Sequence, residues 1–247
     1  MRTIIRINPA YKSLTPFINE LAEKGVPSDA TIIYDARNKV YTLQREGYSL
    51  NVKAFKVPSF PNNYVYGNIR KSKARRSMEN AERLMSMNIG TPHPVAYIEK
   101  RTATKMKESY FVSIQVDAKN VRNWLENPER ETLLPALAKE ILRLHEAGVY
   151  HKDFSPGNIL YTNDGGEYKF YLIDLNRMQF GSLNHAKKMS YFRCIYIESE
   201  EETAHLARLY AAAAGLDADA IEREARAELH KHFEHKRTIN KLKKIFK

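Results

Sequence analysis

The chain has 247 residues, of which 43% are hydrophobic and 11% aromatic, a composition typical of folded globular proteins and unlike that of disordered ones. Its 40 Lys and Arg residues against 29 Asp and Glu residues leave a formal net charge of +11, which favours an anionic partner. The single cysteine, Cys194, excludes an intramolecular disulfide and a cysteine-rich zinc site. No apolar stretch approaches the roughly 20 residues of a membrane-spanning helix, and the first residues lack the apolar run of a secretion signal, so we expect a cytoplasmic protein.

The chain up to Asp117 has mainly the alternating pattern of strands, preceded by a short amphipathic stretch at Leu14–Leu21. Three segments joined by tight turns predict an antiparallel meander, and two more predict strands further on. These five segments are Thr31–Asp35, Val40–Arg45, Tyr48–Lys56, Val95–Glu99 and Ser109–Val116. Between the two groups, a basic linker that ends at Arg76 leads into an apolar stripe typical of a helix at Ser77–Met87.

Beyond Asp117 the pattern becomes mainly helical. The segments with helical spacing of apolar residues are Ala118–Glu126, Glu131–Ala147, Glu200–Ala214 and Ala218–His232. Strands followed by helices predict an α+β fold, with an N-terminal lobe over residues 1–117 and a C-terminal lobe over residues 118–247.

One polar loop in the second lobe carries a chemical pattern. It follows the Glu131–Ala147 helix and contains His-x-Asp-x-x-Pro-x-Asn, in which the aspartate is Asp153 and the asparagine Asn158. A short hairpin behind it ends at Asp174. A carboxylate in such a loop can accept a hydroxyl proton, while an amide oxygen and a second carboxylate suit Mg²⁺. Each of these residues alone is more often a turn or cap residue, but together they predict a phosphoryl-transfer loop of the kinase type.

A kinase-type loop needs a phosphate-binding lysine on the third strand of the first lobe, and Lys53 and Lys56 are the candidates. We favour Lys53, because it follows an apolar residue in mid-strand. Its partner would be a helix glutamate, Glu79 or Glu82, although both also fit a solvated helix face. The chain has no glycine-rich phosphate loop, so backbone amides of the first turn, with Arg37 as a further candidate, would have to cover the phosphates.

On these residues the sequence resembles the lipopolysaccharide core sugar kinases, the Kdo/heptose kinase family often labelled InaA-type. The resemblance covers about residues 30 to 180 and rests on Leu50–Lys56, Arg76–Ala81, Gly90–Ala96, His151–Tyr161 and Leu172–Arg177. It implies a two-lobed protein-kinase-like fold, with a nucleotide-binding antiparallel-sheet lobe that has one helix and a mainly helical catalytic lobe. It also implies ATP and Mg²⁺ as cofactors.

Residue by residue, the resemblance makes Lys53 the phosphate-binding lysine and Asp153 the catalytic carboxylate. Asn158 and Asp174 become the Mg²⁺ ligands, and Glu79 the favoured partner of the lysine. The implied acceptor is a Kdo or heptose sugar of the lipopolysaccharide core, which would place the enzyme peripherally on the inner face of the bacterial inner membrane. The chain departs from protein kinases at Asp174-Leu175-Asn176, which replaces Asp-Phe-Gly, and it lacks an Ala-Pro-Glu motif, which counts against a protein substrate.

Three other functions remain open on the sequence. The chain could be a small-molecule phosphotransferase of the aminoglycoside or choline type, an atypical protein kinase, or a pseudokinase that acts as a binding module. A nucleic-acid partner is not expected, because only the charge suggests one and no recognition motif accompanies it. The seven Lys and Arg residues of Lys231–Lys247 fit either an anionic membrane surface or a docked helix with a solvated basic face.

Overall fold

The computed structural model describes residues 1–57, 71–103, 105–122, 126–197 and 199–245, with the side chains of 235, 236 and 238–245 excepted. The chain divides into two compact units. The first comprises Met1–Asp117 together with Asp174–Asn176, and the second comprises Ala118–Ile173 and Arg177–Lys247. The three residues from Asp174 therefore belong with the N-terminal segment, although the chain around them belongs to the second unit.

The first unit is built on a six-stranded antiparallel sheet with the strand order β1-β5-β6-β4-β3-β2. Its strands are β1 (Arg2–Ile7), β2 (Thr31–Asp35), β3 (Lys39–Arg45), β4 (Tyr48–Ala54), β5 (Pro94–Arg101) and β6 (Met106–Ile114). The expected meander is β2–β3–β4. The sequence prediction missed β1, which pairs with β5 along its whole length from Arg2 opposite Arg101 to Ile7 opposite Ala96.

Each face of this sheet is covered by a helix. Helix α1 (Thr15–Lys24) packs buried side chains such as Ile18 and Leu21 on one face, where Leu50 and Val52 of β4 are fully buried. The opposite face receives α2 (Lys73–Ser86). Because side chains alternate along a strand, Lys53 lies on the α2 side of β4.

Helix α2 begins four residues earlier than the sequence predicts. Ser72 is its N-cap, and the Ser72 hydroxyl accepts a hydrogen bond from the backbone N–H of Arg75 at 2.9 Å. The basic residues interpreted as a linker therefore form the first turn of the helix. The run of basic residues after Ser72 favoured a linker, so the serine was not recognised as a helix cap. Met78, which lies in the predicted apolar stripe, is fully buried.

The second unit contains four helices among its described residues. They are α3 (Arg130–Glu146), α4 (His185–Cys194), α5 (Glu200–Ala214) and α6 (Ala218–Ile245). Its short strands are β7 (Lys119–Asn120), β8 (Val149–His151), β9 (Ile159–Asp164), β10 (Glu167–Leu172) and β11 (Met178–Phe180). The α+β prediction is confirmed. The described helices include none that is long and apolar enough to cross a membrane.

The helix predicted at Ala118–Glu126 is wrong over residues 118–122, while residues 123–125 lie outside the described residues. The segment instead contains β7, which pairs with β9 so that Lys119 lies opposite Tyr161, and the Val121 N–H then donates to the carbonyl of Ile159. Pairing with a strand 40 residues further along the chain overrides the local helical spacing. At the other end of the unit, α6 continues as one helix well beyond His232, where the sequence prediction ended it.

A buried histidine makes the second unit sensitive to acid. His145 is 2% exposed, its Nδ1 lies 3.0 Å from the Tyr210 hydroxyl, and its ring packs edge-on against Tyr191. Burial, and then the positive charge of Lys188, lower the pKa of His145 from the ordinary 6.5 to about 3. The fold therefore holds the imidazole neutral, whereas the unfolded chain protonates it as the pH falls below 6.5.

We therefore expect the free energy of unfolding to fall between pH 6.5 and pH 4.5, by up to roughly 3 kcal/mol from this group at about 1.4 kcal/mol per pH unit. The measurement is urea unfolding across that range for the wild type and for His145→Phe, which keeps an aromatic ring but cannot be protonated. The variant should show a shallower pH dependence, and parallel curves for the two proteins would contradict the assignment.

Candidate active site

Lys53 and Asp174 meet in the first unit. Lys53 projects from β4, and its Nζ forms an ion pair and hydrogen bond with Oδ1 of Asp174. The two side chains are 18% and 26% exposed, so the pair is shielded but open to a ligand. Lys56 lies beyond the end of β4, is exposed, and lines a cleft with Ser109 and Lys73 whose lining includes neither Lys53 nor Asp174. Of the two candidate lysines, the structure brings only Lys53 to Asp174.

Asp174 has an unusual backbone. Its φ is +57°, in the left-handed region that residues other than glycine rarely adopt. The Asn176 amide donates to the same Oδ1 of Asp174 at 2.8 Å, so one carboxylate oxygen receives two hydrogen bonds. From α2, Asn80 Nδ2 donates to the backbone carbonyl of Leu175 at 2.7 Å, and the Arg76 guanidinium donates to that of Asn176. The sequence pattern predicts Asp174 as a site residue but indicates no role for Arg76, Asn80 or Asn176.

The expected lysine–glutamate pair is not the one that the structure forms. Glu79 accepts hydrogen bonds from Lys71 at 2.8 Å and from Arg75 at 2.9 Å, and Glu82 pairs with Arg6 of β1. Burial would raise the pKa of Glu79, but the hydrogen bonds from its two cationic neighbours outweigh that effect and leave the pKa below its ordinary value. Lys71, which precedes α2, therefore holds Glu79 together with Arg75 of α2, and Arg6 holds Glu82.

The polar residues of the predicted catalytic loop lie in the second unit, between β8 and β9. The buried His151 accepts a hydrogen bond at Nδ1 from the Asp153 N–H at 3.2 Å, while its Nε2 lies 2.9 Å from the Ile173 carbonyl. Nε2 must therefore carry the proton, and the imidazole links the loop to the end of β10. The Asn158 amide nitrogen donates to the Asp153 carbonyl at 2.9 Å, which closes the loop on itself.

This arrangement leaves two oxygen groups of the loop available for chemistry. The Asp153 carboxylate is half-buried and accepts no hydrogen bond from any residue that the structure describes. Asn158 uses its nitrogen on the backbone, so its Oδ1 is the acceptor that remains for a cation. Gly157 lies close to the Arg122 guanidinium, since a Cβ at position 157 would lie 2.3 Å from Nη2 and the exposed arginine would have to move aside. Arg122, which the sequence gave no reason to select, thus flanks the loop.

Arg37 lies in the turn between β2 and β3 and is exposed. Its contact with phosphates stays a prediction.

Comparison with known proteins supplies the family. The model of the lipopolysaccharide kinase (Kdo/WaaP) family matches residues 50–214, well over half of the chain. No curated protein matches at a significant level.

Among solved structures, one described as WaaP in complex with acyl carrier protein aligns with a TM-score of 0.60 at 17% identity, covering 95% of this chain and 98% of that one. Two structures of the Rio2 kinase from Chaetomium thermophilum, one of them an ADP/Mg²⁺-phosphoaspartate complex, align with TM-scores of 0.49 and 0.48 at 19% identity. They cover 89% and 88% of this chain, and 75% and 76% of their own.

The fold likeness to WaaP and the family match confirm both the kinase-like fold and the resemblance found in the sequence. The chain belongs to the lipopolysaccharide kinase (Kdo/WaaP) family and is thereby an ATP-dependent phosphotransferase with a hydroxyl acceptor.

Proposed function

We propose that the chain transfers the γ-phosphate of ATP to a sugar hydroxyl, on Kdo or heptose, of the lipopolysaccharide core. The observation that carries this proposal is the Asp153 loop, in which His151 and Asn158 fix the backbone of Asp153 while its carboxylate stays unengaged by the described residues. A carboxylate held in this way can accept the proton of an attacking hydroxyl, as phosphoryl transfer to an alcohol requires.

The nucleotide side of the reaction is proposed for Lys53, Asp174 and Asn158. Lys53 provides a positive charge for the phosphates, and Asp174 and the free amide oxygen of Asn158 are hard oxygen donors that fit Mg²⁺. When bound, Mg²⁺ neutralises charge on the phosphate oxygens. Arg37 is proposed as a further phosphate contact, whereas Glu79 could reach Lys53 only by leaving Lys71 and Arg75.

The net charge of the chain and its departures from protein-kinase motifs favour one class of acceptor. A net charge of +11 favours a phosphate-rich acceptor over the cationic aminoglycosides or choline. The sequence also has Asp174-Leu175-Asn176 where protein kinases have Asp-Phe-Gly, and it contains no Ala-Pro-Glu motif, which disfavours a peptide acceptor. A phosphorylated glycolipid is the acceptor that satisfies both observations.

The proposal is tested by ATP consumption on a panel of acceptors, with product mass measured for each. The panel contains lipid A–core, its deacylated oligosaccharide, aminoglycosides, choline and a generic protein, with and without EDTA. Each arm is repeated with acyl carrier protein present, because the matched WaaP structure was solved in that complex. We expect phosphorylation of the core substrates only, dependent on Mg²⁺. Phosphorylation of choline or aminoglycosides alone would support a small-molecule phosphotransferase. ATP binding without turnover on any acceptor would support a pseudokinase.

A membrane-bound acceptor would require docking at an acidic surface, and we propose the C-terminal part of α6 for this role. Seven Lys and Arg residues lie in Lys231–Lys247, and of these only the side chains of Lys231 and Arg237 are among those that the structure describes. Each basic side chain near an anionic surface adds about 1 kcal/mol, an attraction that salt weakens.

We therefore expect the full chain to bind vesicles that contain anionic lipid but not purely zwitterionic vesicles, with binding reduced by salt. Deleting Lys241–Lys247 should weaken the binding at least tenfold in a vesicle sedimentation assay. Equal binding by the truncated and full chains would instead assign any membrane affinity to another basic face.

A further inference from the structure

We propose that Asn80 and Arg76 of α2 are positioning residues, which hold Asp174 in its metal-binding conformation through the backbone that follows it. This inference rests on the proposed function, in which Asp174 binds Mg²⁺. The inference links α2 to the active site through Asp174. The sequence predicted a different link, in which a glutamate of the same helix pairs with Lys53.

The backbone of Asp174 needs support from its surroundings. A φ of +57° at a residue with a side chain persists only where neighbouring groups over-determine it, and such residues concentrate at functional sites. The side-chain contacts of Asp174 with Lys53 and Asn176 fix the carboxylate, but they do not fix the peptide groups that follow Asp174 in the chain. Those peptide groups require their own partners.

Helix α2 supplies these partners from two successive turns. Asn80 Nδ2 donates to the Leu175 carbonyl at 2.7 Å, and the Arg76 guanidinium donates to the Asn176 carbonyl. Residues four apart lie on the same face of a helix, so the two donors form one platform under consecutive carbonyls. Leu175 and Asn176 are 3% and 7% exposed, so water cannot readily replace these donors.

The platform couples the helix to the carboxylate. A displacement of α2 would withdraw both donors together, and the left-handed backbone at Asp174 would lose its support. The Asp174 carboxylate would then no longer be held in one orientation. Glu79 lies next to Asn80 in α2, but its carboxylate is bonded to Lys71 and Arg75. The helix is therefore linked to the turn after Asp174 by the Asn80 amide and the Arg76 guanidinium. This also gives a structural reason for an asparagine and an arginine at these two positions.

The test uses Asn80→Leu, which keeps the side-chain shape but cannot donate, and Arg76→Met, which keeps the unbranched stem but loses the guanidinium. Arg83→Met is the matched control, because Arg83 is exposed near the other end of α2. The first readout is amide hydrogen exchange of the peptide that spans residues 172–178. We expect exchange there to become at least tenfold faster in both variants and to stay unchanged in the control, with a much smaller change in peptides of the sheet, which report any global loss of stability.

The second readout is calorimetric ATP binding as a function of Mg²⁺ concentration. We expect the Mg²⁺ needed for half-maximal binding to rise at least fivefold in Asn80→Leu and Arg76→Met, while binding in EDTA changes less than twofold. Arg76→Lys, which retains a donor, should recover part of the effect. If Arg76→Met does not fold, Asn80→Leu alone decides.

The outcomes separate this inference from the proposed function. Wild-type exchange rates in the variants would overturn the positioning role, whatever the enzyme does with ATP. Faster exchange with an unchanged Mg²⁺ requirement would also overturn it, because the turn would then not position a metal ligand. A wild type that binds no ATP would instead refute the proposed function, while the exchange data would still report whether α2 holds the turn.

Discussion

Asp153→Asn is expected to lower the rate of phosphoryl transfer about 10²- to 10⁴-fold and to leave ATP affinity within twofold of the wild type. General-base catalysis by a positioned carboxylate contributes on this scale, and the substitution removes the basic oxygen while preserving the shape of the side chain. The loop should keep its geometry, because His151 and Asn158 contact the backbone of residue 153 and not its carboxylate.

The measurement pairs single-turnover kinetics on lipid A–core with calorimetric ATP binding on the same preparations. Asp164→Asn, at the exposed end of β9, is the matched control and should behave as the wild type. Unchanged turnover in Asp153→Asn would remove Asp153 from the mechanism. An equal loss of ATP affinity and of turnover would place it on the nucleotide instead.

The second large effect is expected at Lys53. Lys53→Ala should lower turnover about 10²- to 10³-fold, the scale found when one preorganised donor to developing charge is removed. Its neighbour in sequence, Lys56, provides a matched control of identical chemistry. Because Lys56 is exposed beyond β4 and lines a cleft that does not include Asp174, Lys56→Ala should change turnover less than twofold.

Steady-state kinetics with ATP varied at saturating acceptor give kcat and KM for both variants. The loss in Lys53→Ala should appear in kcat/KM for ATP, and an intact circular dichroism spectrum should accompany it. Loss of activity in Lys56→Ala alone would reverse the assignment of the phosphate lysine.

The sequence was most informative where the chemistry is local. Asp153 and Asn158 lie five residues apart in one loop, so their joint pattern could be recognised without knowing the fold. The alternation along β4 likewise identified which side chains are buried, and Leu50 and Val52 are fully buried in the structure. Short-range periodicity predicts such features because it reflects the geometry of the strand itself.

The sequence was least informative where distant segments pair. Where a helix was expected from Ala118, β7 forms because β9 supplies hydrogen-bond partners, and the local spacing of this segment cannot show a partner so far along the chain. Asn80 contacts Leu175, and Arg76 contacts Asn176, about 100 positions away in each case. The residue spacing within either segment does not predict these contacts. The hydrogen bonds that Glu79 accepts from Lys71 and Arg75 were likewise not expected from the sequence, and its pairing with Lys53 stays a prediction.

The N-terminal strands have a practical consequence for anyone who trims this protein for expression. The family match starts at residue 50, inside β4, yet β1, β2, β3 and α1 all precede that point. A clone that begins there would lose half of the six-stranded sheet and the helix that covers Leu50 and Val52. Such a fragment would present a bare apolar surface and unpaired strand edges, the combination that drives inclusion-body formation. Boundaries for recombinant production should therefore follow the strand order of the sheet and not the limits of the family match.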